Sequence, residues 1–322
     1  MNSLEDKLTE KQINTALDNM KKGEDGLDKA YDDTVNRIAN QGQGIRELAQ
    51  KGLFWIVYVN RPLTTEELRH ALAVEPGTCK LDEANLCPVK DMVSSCAGLV
   101  IVDSNIVRLV HYTTHEYFQR HSLKNFGNVH RDIIATTCLT YLSYDVFAEG
   151  DLKKSELESR LQQNAFLKYA AQNWASHIRD PQQSVGDLAL KFLMDDGKAS
   201  ASSQILFPRY LQRFCGMHLV AYFGLYDIMV RLLEEKDPDS KDSTGRTPLF
   251  YAVEKRNTGI VELLLDYNAD INSKCKEGWT PFSRAIEGGS VAIIRILLTK
   301  KVELDNQYKL VRISNHMRID LY

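Results

Sequence analysis

The amino-acid sequence predicts a mainly α-helical protein with one small β-hairpin and a short α-solenoid towards its C-terminal end. Three observations predict this fold class. Apolar residues recur at helical spacing along most of the 322-residue chain. Two strand-like runs flank a short turn sequence. Near the C-terminus, a pattern of turn, Thr-Pro and apolar positions returns after 33 residues.

The repeated pattern is the most informative part of the chain. Gly245-Arg-Thr-Pro-Leu-Phe-Tyr-Ala-Val is followed 33 residues later by Gly278-Trp-Thr-Pro-Phe-Ser-Arg-Ala-Ile. A weaker copy, which begins at Cys215-Gly-Met-His, precedes both. A glycine turn, a Thr-Pro start and a period near 33 residues are typical of ankyrin repeats. The sequence therefore predicts about three ankyrin repeats over residues 205–305, the first of them degenerate.

Each position of the repeat has a physical role. Gly245 permits the positive φ that closes the turn, Thr247 can cap the inner helix through its hydroxyl, and Pro248 fits the first helical position. Asn268 tolerates the left-handed conformation that ends the outer helix. Arg256 stands where the other two copies have glycine, so we expect strain at the end of the second inner helix.

Composition and charge argue against several classes of function. The chain carries 40 basic and 43 acidic residues, and this net charge of −3 gives no general reason to expect nucleic acid or an anionic membrane as partner. The longest apolar runs, such as residues 53–59, are far shorter than the roughly 20 residues that span a bilayer. No apolar signal-peptide core follows Met1, and the six cysteines show no paired spacing. We therefore expect reduced cysteines and a cytoplasmic location.

Residues 1–125 are predicted to form a helical and winged-helix domain. Thr64 and Glu67 have the spacing of a capping box. The strand-like runs 99–102 and 106–110 are joined by Asp103-Ser-Asn, a sequence typical of a hairpin turn. The order helix, turn, helix, hairpin is that of a winged helix. Helices are expected over residues 4–22, 27–39, 45–59 and 89–96.

Winged helices often bind DNA through the helix before the wing. Here that helix carries only Lys90 and Asp91 as charged residues, and the wing carries Asp103 and Arg108. A DNA-binding surface needs a basic stripe that contacts phosphates. DNA binding is therefore the less favoured interpretation, and a packing module between domains is preferred.

Residues 126–204 are predicted to be a helical connector and linker. The segment 195–204, Asp-Asp-Gly-Lys-Ala-Ser-Ala-Ser-Ser-Gln, has the composition of a linker. After the repeats, residues 306–322 lack the Gly-x-Thr-Pro pattern and are expected to form an irregular tail. Connector helices are expected over residues 129–147, 155–162, 166–178 and around 188–193.

Five segments of the chain form a specific combination of motifs. They are residues 27–32, 61–74, 95–100, 109–118 and 169–174. Together they resemble the winged-helix and following helical region of fungal NACHT–ankyrin proteins, which are NOD-like signalling ATPases of the STAND type. The resemblance covers roughly residues 1–305. It implies a cytosolic sensor in which the ankyrin end receives a ligand and a NACHT nucleotide domain, packed on the N-terminal region, oligomerises.

One departure from this family concerns the nucleotide site. Such proteins carry a Gly-x-x-x-x-Gly-Lys-Ser/Thr phosphate loop, and the sequence contains none. The nearest fragment, Gly197-Lys-Ala-Ser, lacks the first glycine and a preceding strand. The chain therefore looks like the C-terminal half of the family without its nucleotide domain, and we expect no cofactor.

The sequence gives little support for catalytic or metal-binding residues. His111 and His115 lie four residues apart, as zinc ligands on a helix can, but His111 is expected to close a strand and the His-Glu-x-x-His order is absent. Cys79, Cys87 and Cys96 are too irregularly spaced for a zinc site. We expect no metal site, no catalytic group and no enzymatic activity.

Protein binding is better supported, because turn tips and inner-helix faces line the groove of ankyrin stacks. Trp279, beside a turn, is the best candidate for an anchor, since aromatic residues dominate interface energies. The alternative is that Trp279 packs on Arg246 of the neighbouring repeat. By position, the candidate partner-binding residues are Asp242, Ser243, Arg246, Glu254, Lys276, Glu277, Trp279 and Glu287.

The function expected from the sequence is that of a non-enzymatic protein-interaction module of a NACHT–ankyrin signalling protein. The ankyrin groove would bind a protein partner, and the winged-helix region would act as a relay. The main alternative is the regulatory half of an ATP-switch NTPase whose phosphate loop lies outside this chain.

Overall fold

The computed structural model describes residues 26–121, 132–150, 152–178, 183–207, 214–300 and 302. The described residues are mainly helical and include one small antiparallel sheet, so the predicted fold class is confirmed. The helix expected over 4–22 and the tail 306–322 lie outside the described residues. The chain divides into two compact units, one formed by residues 1–75 and 81–134 and the other by residues 76–80 and 135–322.

The first unit has the winged-helix arrangement. Strand β3 lies at the centre of the sheet, pairs with β2 in the register Val100↔Leu109, and pairs with β1 in the register Leu63↔Val107. The two-residue β1 was not predicted, because so short a strand has no pattern of its own. The elements are α1 (26–39), α2 (Gln43–Tyr58), β1 (Leu63–Thr64), α3 (Thr65–Ala73), a 3-10 turn (Glu83–Asn85), α4 (Val89–Ser95), β2 (Val100–Asp103), β3 (Ile106–Leu109) and α5 (Tyr112–His121).

Local sequence explains two features of this unit, the hairpin turn between β2 and β3 and the start of α3. The hairpin turn places Ser104 and Asn105 at φ values of 50° and 66°, as a tight two-residue turn requires. The capping box of α3 is confirmed: the Glu67 N–H donates to Thr64 Oγ1 at 3.2 Å, and the Thr64 N–H donates to Glu67 Oε2 at 2.9 Å. The core of the unit is built from Leu53, Trp55, Leu68, Met92, Val100, Val107 and Phe118.

The second unit begins with a helical layer that precedes the repeats. Tyr169, Ala170, Trp174 and Ile178, which are spaced as on one face of a helix, are all buried. The helices are α6 (Asp132–Leu142, entering from the first unit), α7 (Lys154–Gln163), α8 (Leu167–Asn173), α9 (Gln183–Met194) and α10 (Asp196–Leu206), with 3-10 turns at Asp145–Phe147 and Trp174–Ile178.

Residues 195–204 are not a linker, so that prediction is wrong. Asp195 caps α10 by accepting a hydrogen bond from the Lys198 N–H at 3.1 Å. The small side chains let the helix pack closely, and a Cβ at Gly197 would lie 2.1 Å from the Ala148 carbonyl oxygen. Gln204 is buried and exchanges hydrogen bonds of 3.1 and 3.2 Å with the Leu152 backbone. The serines and alanines that suggested a linker are therefore the buried face of a helix.

Three helix pairs form the ankyrin stack, with inner helices α11, α13 and α15 packed in sequence and outer helices α12, α14 and α16 beside them. The first inner helix begins at Gly216, so the predicted start at residue 205 was too early. The pairs are α11 (Gly216–Phe223) with α12 (Tyr226–Leu232), α13 (Pro248–Glu254) with α14 (Thr258–Asp266), and α15 (Pro281–Glu287) with α16 (Val291–Thr299).

The ends of the repeat helices follow most of the predictions. Arg256 has a φ of 58°, where the matching glycines 224 and 289 have 75° and 64°, so the expected strain is present. Asn268 takes the predicted left-handed conformation, with a φ of 62°. The prediction that the Thr247 hydroxyl caps α13 is wrong: Thr247 occupies the N-cap position, but its hydroxyl pairs with Ser273 Oγ at 3.3 Å.

Candidate protein-binding surface

Two matched turns, one before each of the last two inner helices, form the base of the candidate surface. In the first, Gly245 has a φ of 79° and its N–H donates to the Asp242 carbonyl at 3.0 Å. In the second, Gly278 has a φ of 83° and its N–H donates to the Cys275 carbonyl at 2.9 Å. The Lys276 N–H donates to the carbonyl of the first turn at Thr244, at 2.8 Å, and so ties the two turns together.

Asp242 belongs to the interior of the first turn. It is 5% exposed, and its Oδ1 accepts hydrogen bonds from the Thr244 N–H, the Thr244 hydroxyl and the Arg246 N–H. Its Oδ2 accepts from the buried Tyr251 hydroxyl. These contacts use both carboxylate oxygens to hold the turn, so the structure gives Asp242 a supporting role. Ser243, its neighbour in the same turn, is half-buried.

An ion-pair ladder crosses the inner helices of the second and third repeats. Arg284 Nη2 lies 3.1 Å from Glu254 Oε1, and Arg284 also pairs with Glu287. Arg246 lies 3.7 Å from the second oxygen of Glu254 and 3.9 Å from Glu277. We use the name ion-pair ladder for Arg246, Glu254, Glu277, Arg284 and Glu287.

Two atoms of the ladder retain unused hydrogen-bonding capacity. Arg246 Nε and Glu254 Oε2 are buried and make no hydrogen bond within the described part of the chain. The Arg246 guanidinium lies over the ring of Phe250, 4.8 Å from its centroid. Stacking on one side and ion pairs on the other fix the orientation of this arginine.

The predicted binding residues differ in exposure. Trp279 is 37% exposed, and its carbonyl accepts a hydrogen bond from the Cys275 N–H at 3.0 Å, which holds its backbone in the turn. Lys276 and the ladder residues Glu277 and Glu287 are also exposed. Of the eight sequence-predicted residues, Ser243, Arg246 and Glu254 are half-buried, and Asp242 is buried.

Arg256 and Arg284 were not among the predicted binding residues. Both line a cavity of about 290 Å³ between the ends of the second and third inner helices, together with Glu254 and Ser290. Arg256 Nη2 donates to the Gly288 carbonyl at 2.6 Å. Arg284 lies one helical turn from the N-cap Thr280, a spacing that places it on the groove side, and this spacing could have identified it.

Three arginines of the winged-helix unit are paired with neighbouring acids. Arg108 on the wing lies 2.6 Å from Asp103, and Arg69 lies 2.8 Å from Glu66. Arg61 lies 2.6 Å from Glu67, and its guanidinium together with the Thr64 N–H outweighs the effect of burial, so the pKa of Glu67 lies below its usual value. These pairings reduce the positive charge that phosphate contacts would need.

The described residues contain no group of three or more His, Cys, Asp or Glu side chains placed to hold a metal ion. His111 lies before α5, where its Nδ1 is 2.8 Å from the Thr113 hydroxyl. Over the same described ranges, every helix is too short or too polar to cross a membrane.

Two protein-family models match the chain. A model described as ankyrin repeats, in three copies, matches residues 217–308, and one described as the winged helix domain of GPI inositol-deacylase matches residues 36–127. A 59-residue stretch is 42% identical to delta-latroinsectotoxin-Lt1a from Latrodectus tredecimguttatus and covers 17% of this chain but only 5% of the toxin. The chain thus contains ankyrin repeats and a winged-helix domain, as the sequence predicted.

Proposed function

We propose that this chain is a non-enzymatic interaction module whose second and third ankyrin repeats bind a protein partner. The observation that carries the proposal is the ion-pair ladder together with the exposed Trp279, which follows the ladder residue Glu277 in the second turn. A partner would gain contact with an aromatic side chain and with charged groups whose orientation is already fixed. Both properties are common at binding hot spots, because little conformational entropy is lost on association.

The balance of charge on this surface favours a partner with both acidic and basic groups. Arg246 and Arg284 pair with Glu254, Glu277 and Glu287, and the exposed Lys276 precedes Glu277 in the chain, so the surface carries charges of both signs. Charges that are already paired within the surface contribute more to specificity than to affinity. We therefore expect Trp279 to supply most of the affinity.

Trp279→Ala tests the proposal. The partner is first recovered by cross-linking from extracts of the source cells and purified, and its Kd is then measured against variants of the whole chain. We expect Trp279→Ala to raise the Kd at least about tenfold, since removal of an aromatic anchor costs about 2 kcal/mol or more. The circular dichroism spectrum should be unchanged, because the ring is already 37% exposed.

Tyr267→Ala is the matched control for this measurement. Tyr267 is 42% exposed and follows the outer helix of the second repeat, away from the two turns. Its removal should leave the Kd unchanged. Equal Kd values for the wild type and Trp279→Ala, or equal losses for both variants, would show that this surface is not the binding site.

We further propose that the module works within a cytoplasmic NACHT–ankyrin type signalling protein. The order of a winged-helix domain followed by ankyrin repeats supports this, as does the resemblance of the segments around residues 61–74 and 109–118. Immunoblotting of source cells with an antibody against the repeats tests the idea. A band much larger than 36.6 kDa supports a nucleotide-switched protein, and a band at 36.6 kDa argues against it.

A further inference from the structure

The first repeat begins its inner helix with residue types that the other two repeats do not use. Cys215 occupies the N-cap position of α11, where the second and third repeats have threonine. His218, three residues later, stands where the other repeats have Phe250 and Ser283. A thiol and an imidazole therefore replace the usual hydroxyl at the start of this eight-residue helix.

The two side chains form a close pair with a defined proton arrangement. Cys215 Sγ lies 3.1 Å from His218 Nδ1, which also accepts the Cys215 N–H at 3.1 Å. On the other side of the ring, His218 Nε2 lies 3.1 Å from the Arg246 carbonyl oxygen. Because a carbonyl oxygen can only accept, Nε2 carries the proton. Nδ1 is therefore the basic nitrogen, and its one lone pair is shared between the Cys215 N–H and the thiol.

The pair reverses the usual effect of burial on a thiol. Burial alone raises the pKa of Cys215, but the hydrogen bond with His218 and the Met217 N–H at the helix start outweigh it, so the pKa lies below the ordinary value. Cys96 provides the contrast within the same chain. It is buried, and burial raises the pKa of its thiol to about 11.

A cavity gives small molecules access to this pair. Its volume is about 450 Å³, and its lining includes Ser200, Cys215, His218 and Lys241. Cys215 is partly exposed, whereas His218 is 1% exposed. Both residues line the cavity and Cys215 is the more exposed of the two, so a small molecule in the cavity can approach the pair from the side of the cysteine. The polar groups around the opening favour a small, polar electrophile.

We propose that Cys215 is a modification site at which a small hydroperoxide oxidises the thiol to a sulfenic acid, with His218 as the base. The thiol proton moves to His218 Nδ1, and the thiolate sulfur attacks the terminal peroxide oxygen. An S–O bond forms and the O–O bond breaks. The departing oxygen takes the proton back from His218 and leaves as an alcohol or as water. The sulfur is oxidised by two electrons, and the peroxide is reduced by two.

The test uses the whole chain, hydrogen peroxide and dimedone, which traps sulfenic acids. Mass spectrometry of the digested protein gives the rate of adduct formation at each cysteine between pH 5 and 9. Cys79, which is exposed, is the reference within the same molecule. We expect Cys215 to react about tenfold faster than Cys79 at pH 7, with a lower pH midpoint, because the hydrogen bond with His218 favours the thiolate. A rate at Cys215 no higher than that at Cys79, or a pH midpoint no lower, would overturn the proposal.

Two variants test the roles of Cys215 and His218 in the oxidation. Cys215→Thr, which restores the residue of the other repeats, should remove the adduct and leave the fold intact. His218→Phe, which mimics Phe250, should lower the rate at Cys215 about tenfold and raise its midpoint. If circular dichroism shows that His218→Phe does not fold, the comparison of Cys215 with Cys79 in the wild-type protein still tests the proposal. Alkylation of Cys215 by iodoacetamide without a peroxide-dependent adduct would show a nucleophilic thiol but contradict oxidation by hydroperoxide.

Discussion

The first ankyrin repeat and the two that follow begin their inner helices with the same backbone but with different chemistry. The N-cap residues Cys215, Thr247 and Thr280 have φ values of −82°, −94° and −105° and ψ values of 171°, 165° and 161°. Thr280 accepts a hydrogen bond from the helix, Thr247 bonds to a neighbouring turn, and Cys215 pairs with an imidazole. The stack therefore requires extended backbone at the N-cap position of each inner helix. The group that bonds to the N-cap side chain differs from one repeat to the next.

The next position shows why the first repeat departs from the pattern. Pro248 and Pro281 occupy the first helical position in the later repeats, whereas the first repeat has Gly216. A Cβ at Gly216 would lie 2.1 Å from the carbonyl oxygen of Leu193 in α9. The Thr-Pro start is therefore absent because this helix packs against the helical layer before it. The degenerate start of the first repeat therefore reflects its contact with α9, and the helix itself is still formed.

The substitution with the largest expected effect is Gly216→Ala. The added methyl must displace the backbone of α9, so we expect a loss of about 3 kcal/mol in the free energy of unfolding. Pro248→Ala, at the matched position of the second repeat, should cost less than about 1 kcal/mol, since alanine also suits the start of a helix. Urea unfolding followed by circular dichroism measures both values. Similar losses for the two variants would refute this explanation of the missing Thr-Pro start.

Local sequence predicted the features that depend on a few neighbouring residues. The capping box of Thr64 and Glu67, the hairpin turn after Asp103 and the left-handed Asn268 all follow from intrinsic backbone and side-chain preferences. The Thr-Pro pattern likewise predicted the starts of α13 and α15. Each of these features is determined within about four residues of the chain.

Features that depend on tertiary contacts were not predicted. Residues 195–204 have the composition of a linker, but their small side chains are what allow α10 to pack against α8, α9 and α11. Asp242 was placed on the surface by its position in a turn, although its carboxylate satisfies donors inside that turn. Arg284 was not selected because its partners, Glu254 and Glu287, are apparent only once the inner helices are packed.

The two threonine caps allow a finer comparison between the second and third repeats. Thr280→Ala removes a hydroxyl that accepts the Ser283 N–H at 3.1 Å, and we expect it to cost about 1 kcal/mol of unfolding free energy. Thr247→Ala removes only the longer bond to Ser273, and we expect a cost of about 0.5 kcal/mol. Both threonines are buried, so the loss of the methyl group is common to the two variants. If Thr247→Ala proves the more costly in urea unfolding, the structural distinction between the two caps is wrong.

The smallest expected effect, and the only stabilising one, concerns the end of the second inner helix. Arg256 has a φ of 58°, which costs a residue with a side chain about 1 kcal/mol relative to glycine. Arg256→Gly removes that strain but also the 2.6 Å hydrogen bond to the Gly288 carbonyl, which is solvent-exposed and therefore weak. We expect a net gain of about 0.5 kcal/mol in the urea-unfolding free energy.

Gly289→Ala is the reciprocal variant, since Gly289 has a φ of 64° at the matching position and open space around its Cα. With no clash to resolve, its cost of about 1 kcal/mol would measure the backbone strain alone. A loss of stability in Arg256→Gly together with that cost in Gly289→Ala would show that the bond to Gly288 outweighs the strain. The arginine would then be a contact between the second and third repeats in its own right, and not a tolerated departure from glycine.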